Sequence, residues 1–380
     1  MDQDFLSLAM PQVQSLSPYI PGKPIEELQR ELGLTKIVKL ASNENPLGPS
    51  PKSLAAIEGE LKHLTLYPDG NGFALKSALA ERFSLDIHQI TLGNGSNDLL
   101  DLVARAFLGQ GREAIYSEYA FAVYPISTQA VGATGIAVPA KEYGHDLSAM
   151  LAAITPRTSV IFLANPNNPT GTWFDRQALS AFLAAVPDRV IVVLDEAYTE
   201  YVGEAAFPNG FEFLNAHRNL IVTRTFSKAY GLAGLRVGYA VSDPAIADTL
   251  NRVRQPFNVN SLALIAATAA LSDDEYLQRS FQTNREGLAL LAEGVRALGL
   301  DYIPSVGNFI TVHFGRPAQP IYQALLREGV IVRPVANYGL RDALRISVGT
   351  LAENQYFLEA LTRVLGSVHD GARSPDSTAK

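Results

Sequence analysis

The stretch "NLIVTRTFSKAYGLAGLRVGYA" (residues 219–240) contains a largely apolar run that is followed by Ser227, Lys228 and three glycines. A run of this kind indicates a β-strand that helices cover on both faces, whereas a strand with one solvated face would alternate. Open α/β sheets bind ligands at the carboxyl ends of their strands, so Ser227 and Lys228 lie where a site is expected. Considered alone, Lys228 is more often a solvated surface lysine.

Three other strand patterns also end in polar residues or glycine. "VIFLANPNNPTG" ends with Asn168 and two further asparagines, and "VIVVLDEAY" ends with Asp195 and Tyr198. "ITLGNGSNDLLDLV" passes from a strand through Gly95 into a helix, which is typical of a structural turn or of a phosphate cradle. The Asp-Glu pair is also typical of ATPases, but the chain contains no G-x-x-x-x-G-K-[ST] phosphate loop.

Helical patterns alternate with these strand patterns along the middle of the chain. The alternation predicts a doubly wound, mostly parallel α/β domain over residues 51–258. Residues 1–50 are rich in proline and predict an N-terminal arm that also forms part of a smaller domain. The rest of this smaller α+β domain is expected over residues 259–366. Residues 367–380 lack apolar periodicity and predict a disordered tail.

The composition limits the classes of partner. The chain has 380 residues, is 47% hydrophobic and carries a formal net charge of -7, which argues against nucleic acid or an anionic membrane as a partner. It contains no cysteine, which excludes disulfides and thiolate metal sites, and we expect no bound metal. No apolar run approaches the roughly 18 residues of a membrane span, and the first residues are acidic. We therefore expect a cytoplasmic protein.

The strand-end residues together fit the chemistry of a pyridine cofactor. A lysine amine forms a Schiff base with an aldehyde, and apolar surroundings and a nearby cation lower its pKa and activate it. A pyridine ring that accepts electrons needs a carboxylate at its nitrogen, a donor near its phenolic oxygen and an anion site for its phosphate. Lys228 offers the amine, Asp195 offers the carboxylate, and Asn168 and Tyr198 offer the donors. The helix start after Gly95, together with Ser227 and Arg236, offers the phosphate site.

These motifs and several others resemble those of a known family. "NPNNPTG", "DEAY" and "SKAYGLAGLRVGY", in this order, are similar to the signature of fold-type I pyridoxal-phosphate aminotransferases, and specifically of the histidinol-phosphate aminotransferase group. "ASNENPLGPSP", "YPDGNG", "VIVRPVANYG" and "LRISVG" also match that group. The resemblance covers residues 17–365, and it implies the fold-type I transferase fold with pyridoxal 5'-phosphate as cofactor.

The resemblance implies roles for individual residues of the cofactor site. Lys228 would hold the cofactor aldehyde and then move the substrate proton, Asp195 would keep the ring nitrogen protonated, and Tyr198 would bind the phenolic oxygen. Tyr67 matches a tyrosine that reaches the phosphate of a neighbouring subunit, which implies a homodimer with active sites at its interface. Phe121 matches the ring that stacks on the cofactor, with Tyr119 as the alternative. The implied cofactor-binding residues are Gly95, Ser96, Asn97, Phe121, Asn168, Asp195, Tyr198, Thr225, Ser227, Lys228, Arg236 and Tyr67.

The resemblance also implies a reaction and its substrate contacts. The amino group of L-histidinol phosphate would pass to 2-oxoglutarate, giving imidazole-acetol phosphate and L-glutamate, a step of histidine biosynthesis. Tyr19, Asn168, Arg333 and Arg345 would bind the substrates, because guanidinium groups suit both phosphate and carboxylate. An aromatic amino-acid aminotransferase and a threonine-phosphate decarboxylase are the alternatives, whereas a transcription regulator would need a DNA-binding extension. Arg341 departs from the pattern and is expected to be a solvated loop charge.

Overall fold

The structure is a computed structural model, and it describes residues 5–371. Its strands form two separate sheets, one with seven strands and one with five. The strands are β1 (Val38–Leu40), β2 (Ile90–Gly93), β3 (Glu113–Ser117), β4 (Thr134–Val138), β5 (Thr158–Ala164), β6 (Ile191–Asp195), β7 (Leu220–Thr225), β8 (Gly238–Ser242), β9 (Asp301–Ile303), β10 (Phe309–His313), β11 (Val330–Pro334) and β12 (Ala343–Ser347).

Helices surround both sheets. They are α1 (Pro11–Gln14), α2 (Ile25–Leu32), α3 (Pro51–Glu60), α4 (Phe73–Phe83), α5 (Ser96–Phe107), α6 (Val123–Ala130), α7 (Leu147–Ala152), α8 (Arg176–Ala185), α9 (Pro244–Val253), α10 (Ser261–Ala270), α11 (Asp274–Ala297), α12 (Gln319–Arg327) and α13 (Leu351–Gly371). Short 3-10 helices cover Phe5–Leu8, Leu61–His63, Ile87–Gln89, Thr199–Tyr201, Gly210–Phe213, Ala233–Leu235 and Ala336–Tyr338.

The seven-stranded sheet has the order β2-β8-β7-β6-β5-β3-β4, and only β8 runs antiparallel to its neighbours. Alternate side chains of its central strands enter two different apolar cores: Val160 and Phe162 lie in one, and Ile161 and Leu163 lie in the other. Both faces of the sheet are therefore buried, as the continuous apolar runs predicted. The doubly wound, mostly parallel α/β fold of the sequence prediction is confirmed.

The register of the central strands fixes the position of the polar residues that follow them. Ala164 at the end of β5 pairs with Asp195 at the end of β6, and Asp195 pairs with Thr223 of β7. Lys228 follows three residues after the end of β7. Because β5, β6 and β7 are parallel, the segments after them meet at one edge of the sheet, where a ligand site is expected.

The five-stranded sheet has the order β1-β11-β12-β10-β9 and its own apolar core. The N-terminal strand β1 pairs in parallel with β11, and Arg333 of β11 stands opposite Arg345 of β12. This pairing places two cations side by side on the sheet. The N-terminal segment thus contributes a strand to the smaller sheet.

Helix α10 differs from the organisation that the sequence suggested. Residues 259–366 were assigned to the smaller domain, but the α10 side chains Ala263, Ala266 and Ala267 lie in an apolar core of the seven-stranded sheet, and α10 packs on α3. An alanine-rich helix allows this close approach, and its sequence pattern does not indicate which sheet it joins. The domain boundaries themselves stay a prediction.

The last helix, α13, continues to Gly371. The predicted disordered tail began at residue 367, so residues 367–371 are helical instead, and residues 372–380 lie outside the described part of the chain. Within residues 5–371, none of the helices combines the length and the apolar character that crossing a membrane requires.

A buried ion pair holds the ends of β6 and β7 together. Arg224 of β7 donates to Glu196 Oε2 from Nε at 2.9 Å and from Nη2 at 2.7 Å, and its guanidinium lies 3.9 Å from the centre of the Phe211 ring. Glu196 also accepts a hydrogen bond from the Gly210 backbone N–H at 2.7 Å. Both charged side chains are almost fully buried. Because Glu196 directly follows Asp195 in the chain, the ion pair also fixes the backbone next to Asp195.

Candidate active site

A cavity opens where the segments after β5, β6 and β7 meet the smaller sheet. Residues from the N-terminal segment and from β11 and β12 close its other side. The cavity wall brings together thirteen of the predicted site residues: Tyr19, Ser96, Asn97, Phe121, Asn168, Asp195, Tyr198, Thr225, Ser227, Lys228, Arg236, Arg333 and Arg345.

Lys228 lies in the wall of this cavity. Its Nζ donates to the backbone carbonyl of Ser42 at 3.1 Å. The side chain keeps partial access to solvent through the cavity, but protein atoms surround it, and burial together with Arg345 and Arg236 lowers its pKa to about 7. A neutral lysine amine is a nucleophile, so the amine is prepared for attack on a carbonyl carbon.

Asp195 ends β6 and is buried at the floor of the cavity. Tyr124 donates to its Oδ2 at 2.9 Å, and Thr223 donates to its Oδ1 at 3.1 Å. Burial raises the pKa of Asp195 to about 6, although these two hydrogen bonds oppose the rise. The carboxyl group is therefore held in a fixed orientation, and it is suited to pair with a positively charged ring nitrogen.

Asn168 and Tyr198 both contact residues of other elements. Arg345 donates to Asn168 Oδ1, and the Asn43 side-chain amide donates to the Tyr198 hydroxyl at 3.0 Å. Burial raises the pKa of Tyr198 to about 12, so its hydroxyl is protonated at neutral pH and can donate a hydrogen bond. Two polar groups thus lie in the cavity wall together with the amine and the carboxylate.

The start of α5 provides an anion site. This twelve-residue helix begins at Ser96, and its N-cap residue Gly95 (φ +81°) supplies no capping side chain. A Cβ atom at Gly95 would lie 2.4 Å from Nη2 of Arg236, so only glycine lets the guanidinium approach the helix. Arg236 also donates to Ser227 Oγ at 3.3 Å. Free helix amides beside a guanidinium and a hydroxyl are suited to a phosphate.

The charges in the cavity wall are strongly unbalanced. Lys228, Arg236, Arg333 and Arg345 lie in the wall, and Asp195 is the one carboxylate among its described residues. Such a site binds anions, although the chain as a whole is acidic.

Arg333 and Arg345 occupy the side of the cavity formed by the smaller sheet. Arg333 Nη2 donates to the backbone carbonyl of Ile20 at 2.6 Å, and its guanidinium lies 5.5 Å from the centre of the Tyr19 ring. Arg345 Nη2 donates to the Ala41 carbonyl at 2.7 Å. Its Nε is buried and has no hydrogen-bond partner among the described residues. Arg333 and Arg345 thus place two guanidinium groups in the cavity wall, and such groups bind phosphate and carboxylate.

Four predicted or alternative residues lie outside the cavity wall. Gly95 lies just behind the helix start, and Tyr67 is 82% exposed and stacks on Phe257 with ring centres 4.7 Å apart. Tyr119 packs near Tyr143 instead of the cavity, so Phe121 is better placed than Tyr119 to stack on a ligand ring. Arg341 is exposed, in agreement with a solvated loop charge.

Sequence reasoning missed three polar residues of the wall or its support, namely Ser42, Asn43 and Tyr124. Ser42 and Asn43 belong to the motif "ASNENP", and Tyr124 follows Phe121 by three residues. These were the signals available in the sequence. Neither indicates which side chain the residue contacts.

Comparisons with known proteins show the family of this chain. Residues 35–361 match the family described as aminotransferase class I and II. The chain is 65% identical over 367 residues to histidinol-phosphate aminotransferase 2 of Pseudomonas fluorescens, covering 96% of this chain and 99% of the relative. It is 65% identical over 369 residues to histidinol-phosphate aminotransferase 2 of Pseudomonas aeruginosa, covering 97% and 100%.

A solved structure has the same fold. The crystal structure of histidinol-phosphate aminotransferase from Sinorhizobium meliloti in complex with pyridoxal 5'-phosphate superposes with a TM-score of 0.88. The two chains are 31% identical, and the match covers 95% of this chain and 98% of that one.

Proposed function

The chain belongs to the class I and II aminotransferase family, and from this premise we propose that it transfers the amino group of L-histidinol phosphate to 2-oxoglutarate, giving imidazole-acetol phosphate and L-glutamate. The observation that carries this proposal is the pair Arg333 and Arg345, which face the cavity beside the activated amine of Lys228. One substrate carries a phosphate and the other carries two carboxylates, and guanidinium groups bind both kinds of anion. The names of the relatives support histidinol phosphate as the amino donor.

The residues of the cavity fit pyridoxal 5'-phosphate. Asp195 would hold the ring nitrogen, Asn168 and Tyr198 would hold the phenolic oxygen, and Phe121 would lie against the ring. The start of α5, with Ser227 and Arg236, would hold the phosphate, and the missing side chain of Gly95 leaves room for the Arg236 guanidinium beside this helix start. When bound, this cofactor supplies an aldehyde carbon that joins an amine and a ring that accepts electrons from the substrate carbon.

Three residues carry the proton chemistry in this proposal. Burial lowers the pKa of Lys228 to about 7, so a large share of the amine is neutral near pH 7 and can take the proton from the substrate carbon that bears the amino group. The Asp195 carboxylate keeps a positive charge on the ring nitrogen, and the Tyr198 hydroxyl donates to the phenolic oxygen. The phosphate of histidinol phosphate would pair with Arg333, and a carboxylate of glutamate would pair with Arg345.

We also propose that the protein works as a homodimer. A groove between the segment 56–78 and helix α10 is largely apolar and borders exposed apolar side chains, which a second copy of the chain would cover. Tyr67 lies at this groove and would reach the phosphate site of the second copy. The exposed apolar residues that border this groove are Leu54, Leu61, Leu64, Leu66, Tyr67, Phe73 and Phe257.

The cytoplasmic location inferred from the sequence stays a prediction.

Steady-state kinetics with a matched substrate pair tests the reaction. With 2-oxoglutarate as acceptor, we expect kcat/KM for histidinol phosphate to exceed that for phenylalanine, tyrosine and histidinol, which lacks the phosphate. Arg333→Gln removes a charge-assisted contact, so it should lower kcat/KM for histidinol phosphate about 10- to 100-fold and leave that for histidinol nearly unchanged. A higher kcat/KM for phenylalanine would favour the aromatic aminotransferase, and release of carbon dioxide from threonine phosphate would favour the lyase.

A further inference from the structure

Asn43 combines complete burial with an unusual backbone conformation. Its side chain is 1% exposed, and its φ of +55° lies in the left-handed region. Asparagine tolerates this region better than most residues, but a buried residue other than glycine stays there only when its surroundings hold it. Residues with such strain are concentrated at functional sites, and Asn43 lines the cavity described above.

Four hydrogen bonds hold Asn43 in place. Its backbone N–H donates to Ser347 Oγ at 2.8 Å, and Ser347 Oγ donates to its side-chain Oδ1 at 2.8 Å. The Asn308 side-chain amide donates to its backbone carbonyl at 2.9 Å. Its own Nδ2 donates to the Tyr198 hydroxyl oxygen at 3.0 Å. Every polar group of Asn43 therefore has a partner.

These contacts determine which way the carboxamide points. Ser347 Oγ accepts the Asn43 backbone N–H, so its own proton is available for Oδ1. A flipped carboxamide would place its amide hydrogens against Ser347 Oγ and leave the serine proton without an acceptor. The observed orientation therefore directs Nδ2 at Tyr198, and the tyrosine oxygen must accept.

We infer that Asn43 is a positioning residue that directs the Tyr198 hydroxyl proton into the cavity. Because the Tyr198 oxygen accepts from Asn43, its O–H is left to donate toward the phenolic oxygen of the cofactor. A hydroxyl that accepts one hydrogen bond is also a stronger donor of another. This inference rests on the proposed function, since it needs the cofactor beside Tyr198.

Strand β12 also connects Tyr198 to the substrate side of the site. Ser347 and Arg345 are two residues apart on β12, so their side chains lie on the same face of the strand. Arg345 contacts Asn168, while Ser347 contacts Tyr198 through Asn43. One strand therefore supports both groups that are proposed to bind the phenolic oxygen.

The test is a pH titration of the visible absorbance of the cofactor-loaded protein. Asn43→Gly removes the carboxamide, and glycine adopts φ +55° without strain. Without the directed Tyr198 donor the anionic phenolic oxygen is less stabilised, so the midpoint of the titration should rise by about 0.5 to 1 pH unit. Ser84→Gly is the matched control, because Ser84 also has a positive φ of 54° but is exposed and lies outside the cavity wall. Its midpoint should equal that of the unmodified protein.

A double-mutant cycle with Tyr198→Phe separates positioning from a merely structural role. If Asn43 acts through Tyr198, Asn43→Gly should produce no further shift when Tyr198 is already phenylalanine. The charged or titratable neighbours of Tyr198, which are Asp195, Lys228, Tyr338 and Arg345, remain in all four proteins and cancel in the cycle. An equal shift in both backgrounds would overturn the inference.

Two further outcomes separate the proposed role of Asn43 from the proposed function. A normal pH-dependent band whose midpoint is unchanged by Asn43→Gly would overturn this inference and leave the proposed cofactor site intact. Absence of any pH-dependent band in the unmodified protein would overturn the proposed function, and this inference with it. Should Asn43→Gly fail to fold, Ser347→Ala replaces it, since it frees the carboxamide to turn. A smaller upward shift is then expected, and an unchanged midpoint would contradict the inference.

Discussion

Replacing Lys228 with methionine in the cofactor-free protein removes the free-energy cost of burying an ionisable amine in the cavity. Burial and two neighbouring arginines lower the pKa of Lys228 from 10.5 to about 7 in the folded protein, whereas the unfolded chain keeps the ordinary value. Methionine has a similar length and shape but carries no charge. We therefore expect Lys228→Met to stabilise the cofactor-free protein.

The magnitude follows from the two pKa values. Above pH 10.5 the amine is neutral in both states, and as the pH falls toward 7 only the unfolded chain takes up a proton, which destabilises the fold. Each pH unit in this interval corresponds to about 1.4 kcal/mol, so the cost reaches at most about 5 kcal/mol at pH 7 and below. Partial solvent access and the lost hydrogen bond to Ser42 reduce the expected gain to about 2–4 kcal/mol.

Denaturant unfolding of the cofactor-free proteins at pH 7 and pH 9 measures this gain. The free energy of unfolding of Lys228→Met should exceed that of the unmodified protein at pH 7, and the difference should fall by more than half at pH 9. Lys141→Met is the control, because this lysine is exposed and its replacement should change the free energy of unfolding only slightly. The reasoning fails if Lys228→Met is no more stable at pH 7, or if its advantage is the same at both pH values.

Three further predictions concern the interface, the core and the cofactor. Mixing inactive Tyr67→Ala and Lys228→Ala proteins should restore part of the activity, because a mixed dimer contains one complete site; no recovery after subunit exchange would contradict the proposed dimer. Arg224→Ala should lower the free energy of unfolding by about 3–5 kcal/mol, measured with denaturant, whereas Arg252→Ala at an exposed ion pair should change it by less than about 1 kcal/mol. Asp195→Asn should weaken cofactor binding in a fluorescence titration and lower kcat by orders of magnitude, and near-normal turnover would exclude the role given to this carboxylate.

Local sequence patterns were sufficient to predict the central strands of the large sheet. The runs around residues 158–164, 191–195 and 220–225 are apolar almost throughout, and each became a central strand with both faces buried. Helix α10 shows where such patterns stop being informative. Its alanines suit any closely packed surface, so its position against α3 depends on contacts that form only when the chain folds.

The candidate site was predictable to the extent that strand ends specify it. Asn168, Asp195 and Lys228 each lie at or after the end of a central strand, and parallel strands bring their carboxyl ends to one edge, so their common location could be expected. Tyr124 and Asn43 could not be found in this way. They contact Asp195 and Tyr198 across 71 and 155 positions of the chain, and no local periodicity encodes contacts over such separations.

The cations of the cavity have a practical consequence for the measurement of ligand binding. Arg236, Arg333 and Arg345 attract any small anion, so inorganic phosphate or sulfate in a buffer competes with substrate and with the cofactor phosphate for the same positions. Apparent dissociation constants should therefore increase in proportion to the concentration of the competing anion once it saturates the site. Affinities obtained in phosphate buffer would then describe an exchange of one anion for another, and only buffers without multivalent anions would report the intrinsic strength of the site.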